Sequence, residues 1–258
     1  MNKLTQQIIG QLVNKLYPSK LGRKNKFTIE HYIETLGYVL KTGIAWRDLH
    51  APLHWTTYYK KFKLWADHGI FKTAHSIILS LAKKKEKIQK QDLKTLFIDS
   101  SMIKNFKGCD LLGKNHYDRN RLGNKITLLI TSNGIPLSIS LTSANSNDQT
   151  EVIPTLNNCS IPLNNTVLVA DGAYVSEQLR NKLRQQKIKF IFPYKKNQHK
   201  SNNRKELTLL GKRYLVENVF SWIQNYRRVR VRYEKDSKSF IQFYYFALVE
   251  LIAVKLKK

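Results

Sequence analysis

The sequence predicts an α/β fold, a mixed five-stranded sheet with flanking helices, preceded by a small all-α region. Three observations predict it. Short apolar runs rich in β-branched residues, at 95–98 and 166–170 among others, have the composition of buried strands. Amphipathic helical stretches alternate with those runs, whereas residues 1–82 show helical spacing alone. Between the two regimes lies a charged run, 81–91, whose composition suits a linker. The expected organisation is a helical region 1–82, a basic linker 83–92 and a larger domain 93–258.

Taken in order, residues 6–16 form a helix, followed by a basic loop at 19–26. Thr28 caps a helix carrying Ile29, Tyr32, Ile33, Leu36, Val39 and Leu40, and Gly43 stops it. A helix from about Thr56 places Tyr58, Tyr59, Phe62 and Trp65 on one side, with Lys60, Lys61 and Lys63 on others, and Gly69 ends it. Such a pair of helices suits either a helix-turn-helix-like unit that binds DNA or a plain helical subdomain whose lysines are only solvated. Strands follow at 95–98, 125–131 and 135–142, the last two joined by Ser132-Asn133-Gly134, which has hairpin-turn chemistry. A helix at 148–156, a strand at 166–170, a helix capped by Ser176, a strand at 189–192, a polar loop at 195–205 and a helical region at 212–227 complete the order. The succession β-β-β-α-β-α-β-α is that of an RNase H-like fold.

Charge narrows the function. Lys and Arg number 45 against 18 acids, a formal net charge of +27, while 42% apolar residues suffice for a core. Self-repulsion on that scale is relieved by a polyanion, and nucleic acid is the leading one. The cations are spread along the chain rather than beside one apolar anchor, which argues against a membrane surface. The apolar stretch 243–254 is short and interrupted by Glu250, so a packed helix is expected there. Cys109 and Cys159 belong to no paired motif, and a disulfide framework or zinc site is not indicated.

Three acids carry the chemistry. Asp99 and Asp171 each follow an apolar run, at the strand mouths where ligands bind in open α/β sheets, and Gly172 is expected to let the chain turn sharply. Glu217 lies in a helical pattern with Arg213 one turn before it, placed to orient Glu217 or to bind a DNA phosphate. Carboxylates from separate elements suit a pair of hard divalent cations such as Mg2+, which act on phosphodiesters. Tyr226, Arg227, Arg228, Arg230 and Arg232 alternate cations with aromatic and branched residues, as a backbone-tracking segment would. Singly, each acid has an ordinary reading as a cap, turn former or surface ion pair. Glu234 and Glu250 compete for the third place, while Asp110, Asp118 and Asp148 suit capping.

Ile98-Asp99-Ser100-Ser101, Leu168-Val169-Ala170-Asp171-Gly172-Ala173-Tyr174 and the stretch from Arg213 through Glu217 to Arg232-Tyr233-Glu234 resemble DDE transposases of bacterial insertion sequences. The nearest group is the one named for insertion sequence five, in the insertion sequence four superfamily. Residues 36–49, Trp55 to Trp65 and Gly69 are similar to its N-terminal DNA-binding region. The resemblance implies that Asp99, Asp171 and Glu217, separated by 72 and 46 residues, are the catalytic metal ligands. It further implies Mg2+ dependence with Mn2+ substituting, and cut-and-paste transposition on terminal inverted repeats and target DNA. A homodimer or larger assembly in the DNA complex and a bacterial cytoplasmic, nucleoid-associated location follow from the same resemblance. Arg213 matches the arginine of the family's signature. Leu210 and Gln224 stand where the related pattern has tyrosine and lysine. A nuclease that cuts without joining and a silent DNA-binding repressor are the alternatives.

Overall fold

The β-branched run that ends before Asp171 does form a central strand, and the rest of one packing unit is layered on it. The structure, a computed structural model, describes residues 1–17, 27–194 and 201–257, with Tyr117 described by its backbone alone. In chain order the helices α1–α5 are Lys3–Leu16, Ile29–Thr42, Trp55–Asp67, Ile70–Lys84 and Lys90–Lys94. Strands β1–β4 are Thr95–Asn105, Gly113–Asn115, Arg121–Thr131 and Pro136–Ser143. Then come α6 (Asp148–Asn157), β5 (Thr166–Val169), α7 (Glu177–Gln185) and β6 (Ile188–Ile191). The chain closes with α8 (Arg204–Leu210), α9 (Tyr214–Gln224), α10 (Arg227–Arg230), β7 (Val231–Arg232) and α11 (Ser237–Lys255). The basic loop expected at 19–26, and positions 195–200 of the later polar loop, lie outside the described residues.

Packing divides the chain into two units, one of residues 1–81, 104–110 and 222–258, the other of 82–103 and 111–221. In the second unit the sheet order is β2-β3-β1-β5-β6, with β4 antiparallel to β3 and β1, β5 and β6 parallel to one another. These are the five expected strands with the short β2 added. Leu96, Phe97, Ile98, Leu128, Ile130, Leu168 and Val169 are buried, as central strands covered on both faces require. Gly134 takes a left-handed φ of 75° in the β3–β4 turn, and Thr28 and Ser176 cap their helices through side-chain oxygens, as expected.

The first unit is helical. Its centre is α11, where Phe240, Phe243, Tyr244, Phe246, Leu248 and Ile252 are buried. Phe243 stacks on Phe62 of α3 at 4.0 Å between ring centres, and Phe71 of α4 meets Phe246 at 4.9 Å. By length and composition α11 could cross a membrane, but 72% of its apolar window is buried within the protein. Gly43 ends α2 with a φ of 69°. Residues 43–54 then separate α2 from α3, well beyond the turn of about 3–4 residues that a helix-turn-helix uses. The N-terminal region is thus helical as expected, with a longer connection. Two further differences concern boundaries. The segment expected as linker carries the end of α4 and the start of α5, and residues 222–258 pack with the N-terminal helices. Both follow from tertiary burial, which the charge run and the chain order do not encode.

Glu250 of α11 is buried and accepts the Asn2 backbone N–H with both carboxylate oxygens at 3.2 Å. Burial raises its pKa, opposed by the Thr5 hydroxyl and the Asn2 N–H. Because the folded pKa exceeds the unfolded one, the ionised form carries a penalty that grows as pH rises through the folded pKa. Glu250→Gln is therefore expected to stabilise the protein by about 0.5–2 kcal/mol at neutral pH. The gain should vanish as pH falls below the ordinary glutamate value of about 4.3. Thermal melts at the two pH values check this, and a variant less stable at both overturns it.

Candidate active site

Strands β1 and β5 run parallel with Phe97 opposite Val169. Two residues further along each chain stand Asp99 and Asp171, so strand alternation sends both carboxylates to one face. Asp171 continues the extended backbone of β5 at φ −79°, ψ 170°. Asp99 lies within β1, because the strand continues to Asn105; the expectation that both acids end a strand is corrected for Asp99. The extension comes from long-range pairing, Lys104 and Asn105 lying beside Val231 and Arg232. Gly172 is also corrected. It is not among the glycines of positive φ, and an added Cβ would make only ordinary contact, 3.7 Å from Pro193.

One guanidinium joins the two acids. Arg213 Nη1 donates to Asp171 Oδ1 at 2.9 Å, and Nη2 donates to Asp99 Oδ2 at 3.3 Å. Each aspartate also accepts the next backbone N–H, from Ser100 at 2.8 Å and from Gly172 at 2.6 Å. The Arg213 Nε is buried with no hydrogen-bond partner. Burial raises the Asp99 pKa; the Ser100 N–H and Arg213 oppose that shift, and the charge of Asp171 adds to it. Arg213 therefore holds a like-charged pair together.

Behind Asp99 lies a polar network that the sequence reading took for a helix start. Asp148 Oδ1 accepts the Ser100 hydroxyl at 2.7 Å and the Lys125 ammonium at 3.0 Å. Lys125 also donates to the Ser146 carbonyl at 2.7 Å, while the capping role belongs to Asn147. The available signal was Lys125 itself, a cation inside an apolar strand, which burial obliges to find a carboxylate. Glu151, one turn into α6, is buried and its pKa is raised chiefly by that burial.

The structure does not gather Glu217 with the aspartates. It is exposed on α9, and among the described residues no group of three or more His, Cys, Asp or Glu side chains could hold a metal. The fit to a divalent cation therefore rests on Asp99 and Asp171, two hard oxygen donors already converging on one positive group. His54 makes a hydrogen bond to Thr56, and the two cysteines are free.

Among the expected DNA contacts, Lys60, Arg227 and Arg230 are exposed, Lys61 lies partly over the Tyr32 ring, and Tyr226 is half-buried. Burial pushes the Tyr226 phenol up to about 12. Three assignments are corrected. Arg228 is buried with Nε and Nη2 on Glu234 Oε1 at 2.8 and 2.6 Å. Arg232 is fully buried and is held by Asp110 and by the Asp110, Glu234 and Lys235 carbonyls. Lys63 pairs with Asp67 and Asp236. Cations spent on internal partners do not line a DNA track.

Residues 90–250 match the family model described as "Transposase DDE domain", and residues 7–75 match "Putative transposase of IS4/5 family". The putative transposase for insertion sequence element IS402 of Burkholderia cepacia is 34% identical over 132 residues, 48% of this chain. That match spans 59% of the length of the curated relative. The cryo-EM structure of the piggyBac transposase synaptic complex with hairpin DNA superposes with a TM-score of 0.55 at 9% identity. It covers 98% of this chain and 70% of that one, a likeness of fold. With the model spanning most of the chain and both aspartates inside it, this protein belongs to the DDE transposase domain family.

Proposed function

We propose that the protein is a transposase that binds the terminal inverted repeats of its own insertion sequence, cleaves at their ends and joins them to target DNA. The observation that carries the reading is the pair Asp99 and Asp171, each two residues beyond the paired Phe97 and Val169 and bridged by one guanidinium. Asp99 and Asp171 would hold Mg2+ or Mn2+, which when bound polarises a phosphoryl oxygen and activates water or a 3′-hydroxyl. Glu217 would join them as third ligand only if DNA binding brings α9 to the strands. Asp148 and Lys125 fix the β1 backbone at Ser100 and so keep Asp99 in place. Lys60, Arg227 and Arg230 are the exposed cations suited to phosphates. Handling two ends calls for a dimer or larger assembly, acting at the nucleoid in the cytoplasm.

The test is incubation of the purified chain with its flanking inverted-repeat DNA, with and without Mg2+ or Mn2+. Metal-dependent cleavage with joined products supports the reading. Cleavage alone leaves a nuclease, and binding without cleavage under either metal leaves a repressor. Arg213 gives a readout that needs no turnover. Its guanidinium occupies the space between the carboxylates, so Arg213→Met is expected to bind Mn2+ at least about ten-fold more tightly. Mn2+ titration followed by electron paramagnetic resonance measures this, and an unchanged affinity overturns the competition.

A further inference from the structure

The helical unit contains a second feature that the carboxylate chemistry does not use. A cleft of about 660 Å3 is walled by Trp46, Trp55, Tyr59 and Tyr233. The tyrosine rings stay exposed, Tyr59 at 37% and Tyr233 at 38%, although a packed core lies beside them. The walls are fixed from within. Trp46 meets Tyr59 edge-on at 5.5 Å and packs on Phe62 and Phe243. The Arg228 guanidinium lies 5.4 Å from the Trp46 ring and 5.6 Å from the Tyr233 ring, pinned by Glu234 and by the Ile44 carbonyl at 2.9 Å. Arg228 is thus a buried plinth that sets the spacing of two aromatic walls.

The charges of the cleft favour an anion. Its lining acids Glu234 and Asp236 are neutralised by Arg228 and Lys63, leaving Asp48 exposed. Arg47, Lys107 and Lys235 stand exposed at the same cleft, with no ion pair among the described residues. Preset aromatic faces beside such cations match a planar base carrying a phosphate. Paired bases in a duplex keep their faces covered by stacking and cannot offer one to a cleft.

We propose that this cleft binds one unpaired nucleotide of a DNA strand, its base against the Trp46, Tyr59 and Tyr233 rings and its phosphate on Arg47, Lys107 and Lys235. The proposal rests on the DNA reading above and is independent of the acids that would cut. It places a single-strand site in the first packing unit, whereas Asp99 and Asp171 belong to the second.

The full chain is titrated with a short single strand containing 2-aminopurine, with a fully paired duplex and with free deoxyadenosine monophosphate. The wild type and a Tyr59→Ala/Tyr233→Ala variant are compared, folding being verified by melting, and Lys107→Glu serves as a second probe. Binding of the single strand is expected to quench 2-aminopurine, and the double variant should lose about ten-fold or more in single-strand affinity. Duplex affinity should stay within about two-fold, since phosphate contacts elsewhere carry it. Unchanged single-strand affinity and quenching in both variants would overturn the proposal, as would an equal loss for duplex. Free nucleotide competing as well as the strand would reassign the cleft to a mononucleotide. No cleavage is read, so a failure of the catalytic reading leaves this result interpretable.

Discussion

Asp171→Asn is expected to lower metal-dependent cleavage of transposon ends by about a thousand-fold or more, the loss of several kcal/mol of transition-state stabilisation. The substitution suits the test because it removes charge and little else. Asp171 Oδ1 accepts from Gly172 and Arg213, and an asparagine oxygen can keep both bonds. The side chain is 48% exposed, so the fold loses little, and stability should change by under about 0.5 kcal/mol. Cleavage rate, melting temperature and end-binding affinity are measured together. Near-normal cleavage would sink the catalytic assignment. Lost binding with lost cleavage would place Asp171 in DNA recognition instead. Glu217→Gln is the companion variant, since Glu217 is exposed and stands outside the aspartate pair. A deep loss there too would mean that the DNA-bound state brings α9 and the strands together.

Arg228→Met should cost about 3–5 kcal/mol of stability because it strands a buried carboxylate, and Arg232→Met about 1–3 kcal/mol because it leaves buried carbonyls without a donor. For Arg228 the partner is Glu234, itself buried, whose Oε2 already lacks a hydrogen bond and whose pKa burial raises. For Arg232 the Asp110 and Glu234 carbonyls lose a donor, while the Asp110 carboxylate keeps Ser237 and the Lys235 carbonyl keeps the Cys109 N–H. A fall in melting temperature of about 10 °C is expected for Arg228→Met, with the duplex affinity of the folded fraction unchanged in both variants. Arg227→Ala and Arg230→Ala should do the reverse. Each should reduce the salt slope of DNA binding by about one while leaving the melting temperature alone. A stable Arg228→Met that binds duplex DNA weakly would return that residue to the duplex interface.

That contrast marks where the sequence was legible. The strand before Asp171, the Thr28 and Ser176 caps, the Gly134 turn and the strand order are local patterns, and the structure keeps each of them. The alternation through 226–232 was misleading for a physical reason. A basic stretch reads the same whether its cations meet phosphate or carboxylate, and 227–230 form a helical turn rather than an extended track, burying Arg228 and Val229 together. The carboxylate that decides the matter for Arg232 is Asp110, 122 residues away. Asp99 was read as a strand end because polar Ser100 and Ser101 follow it, and only pairing with β7 reveals the continuation. Asp148 looked like a cap because its partners, Lys125 and Ser100, come from two other elements.

The helical unit has one further consequence, which concerns the order in which the chain is made. Its first segment ends at Leu81 and its last begins at Trp222, so synthesis of the intervening stretch, at about 5–20 residues per second, takes on the order of 7–30 s. Throughout that interval Phe62 and Phe71 wait for Phe243 and Phe246, and Lys63 waits for Asp236. The helices of 1–81 would be translated before the intervening stretch and completed only after it. A nascent or truncated product bearing only those helices would expose an apolar face suited to chaperones and proteases. Synthesis itself would then supply a checkpoint, because an interrupted message yields a fragment removed before it can occupy a transposon end.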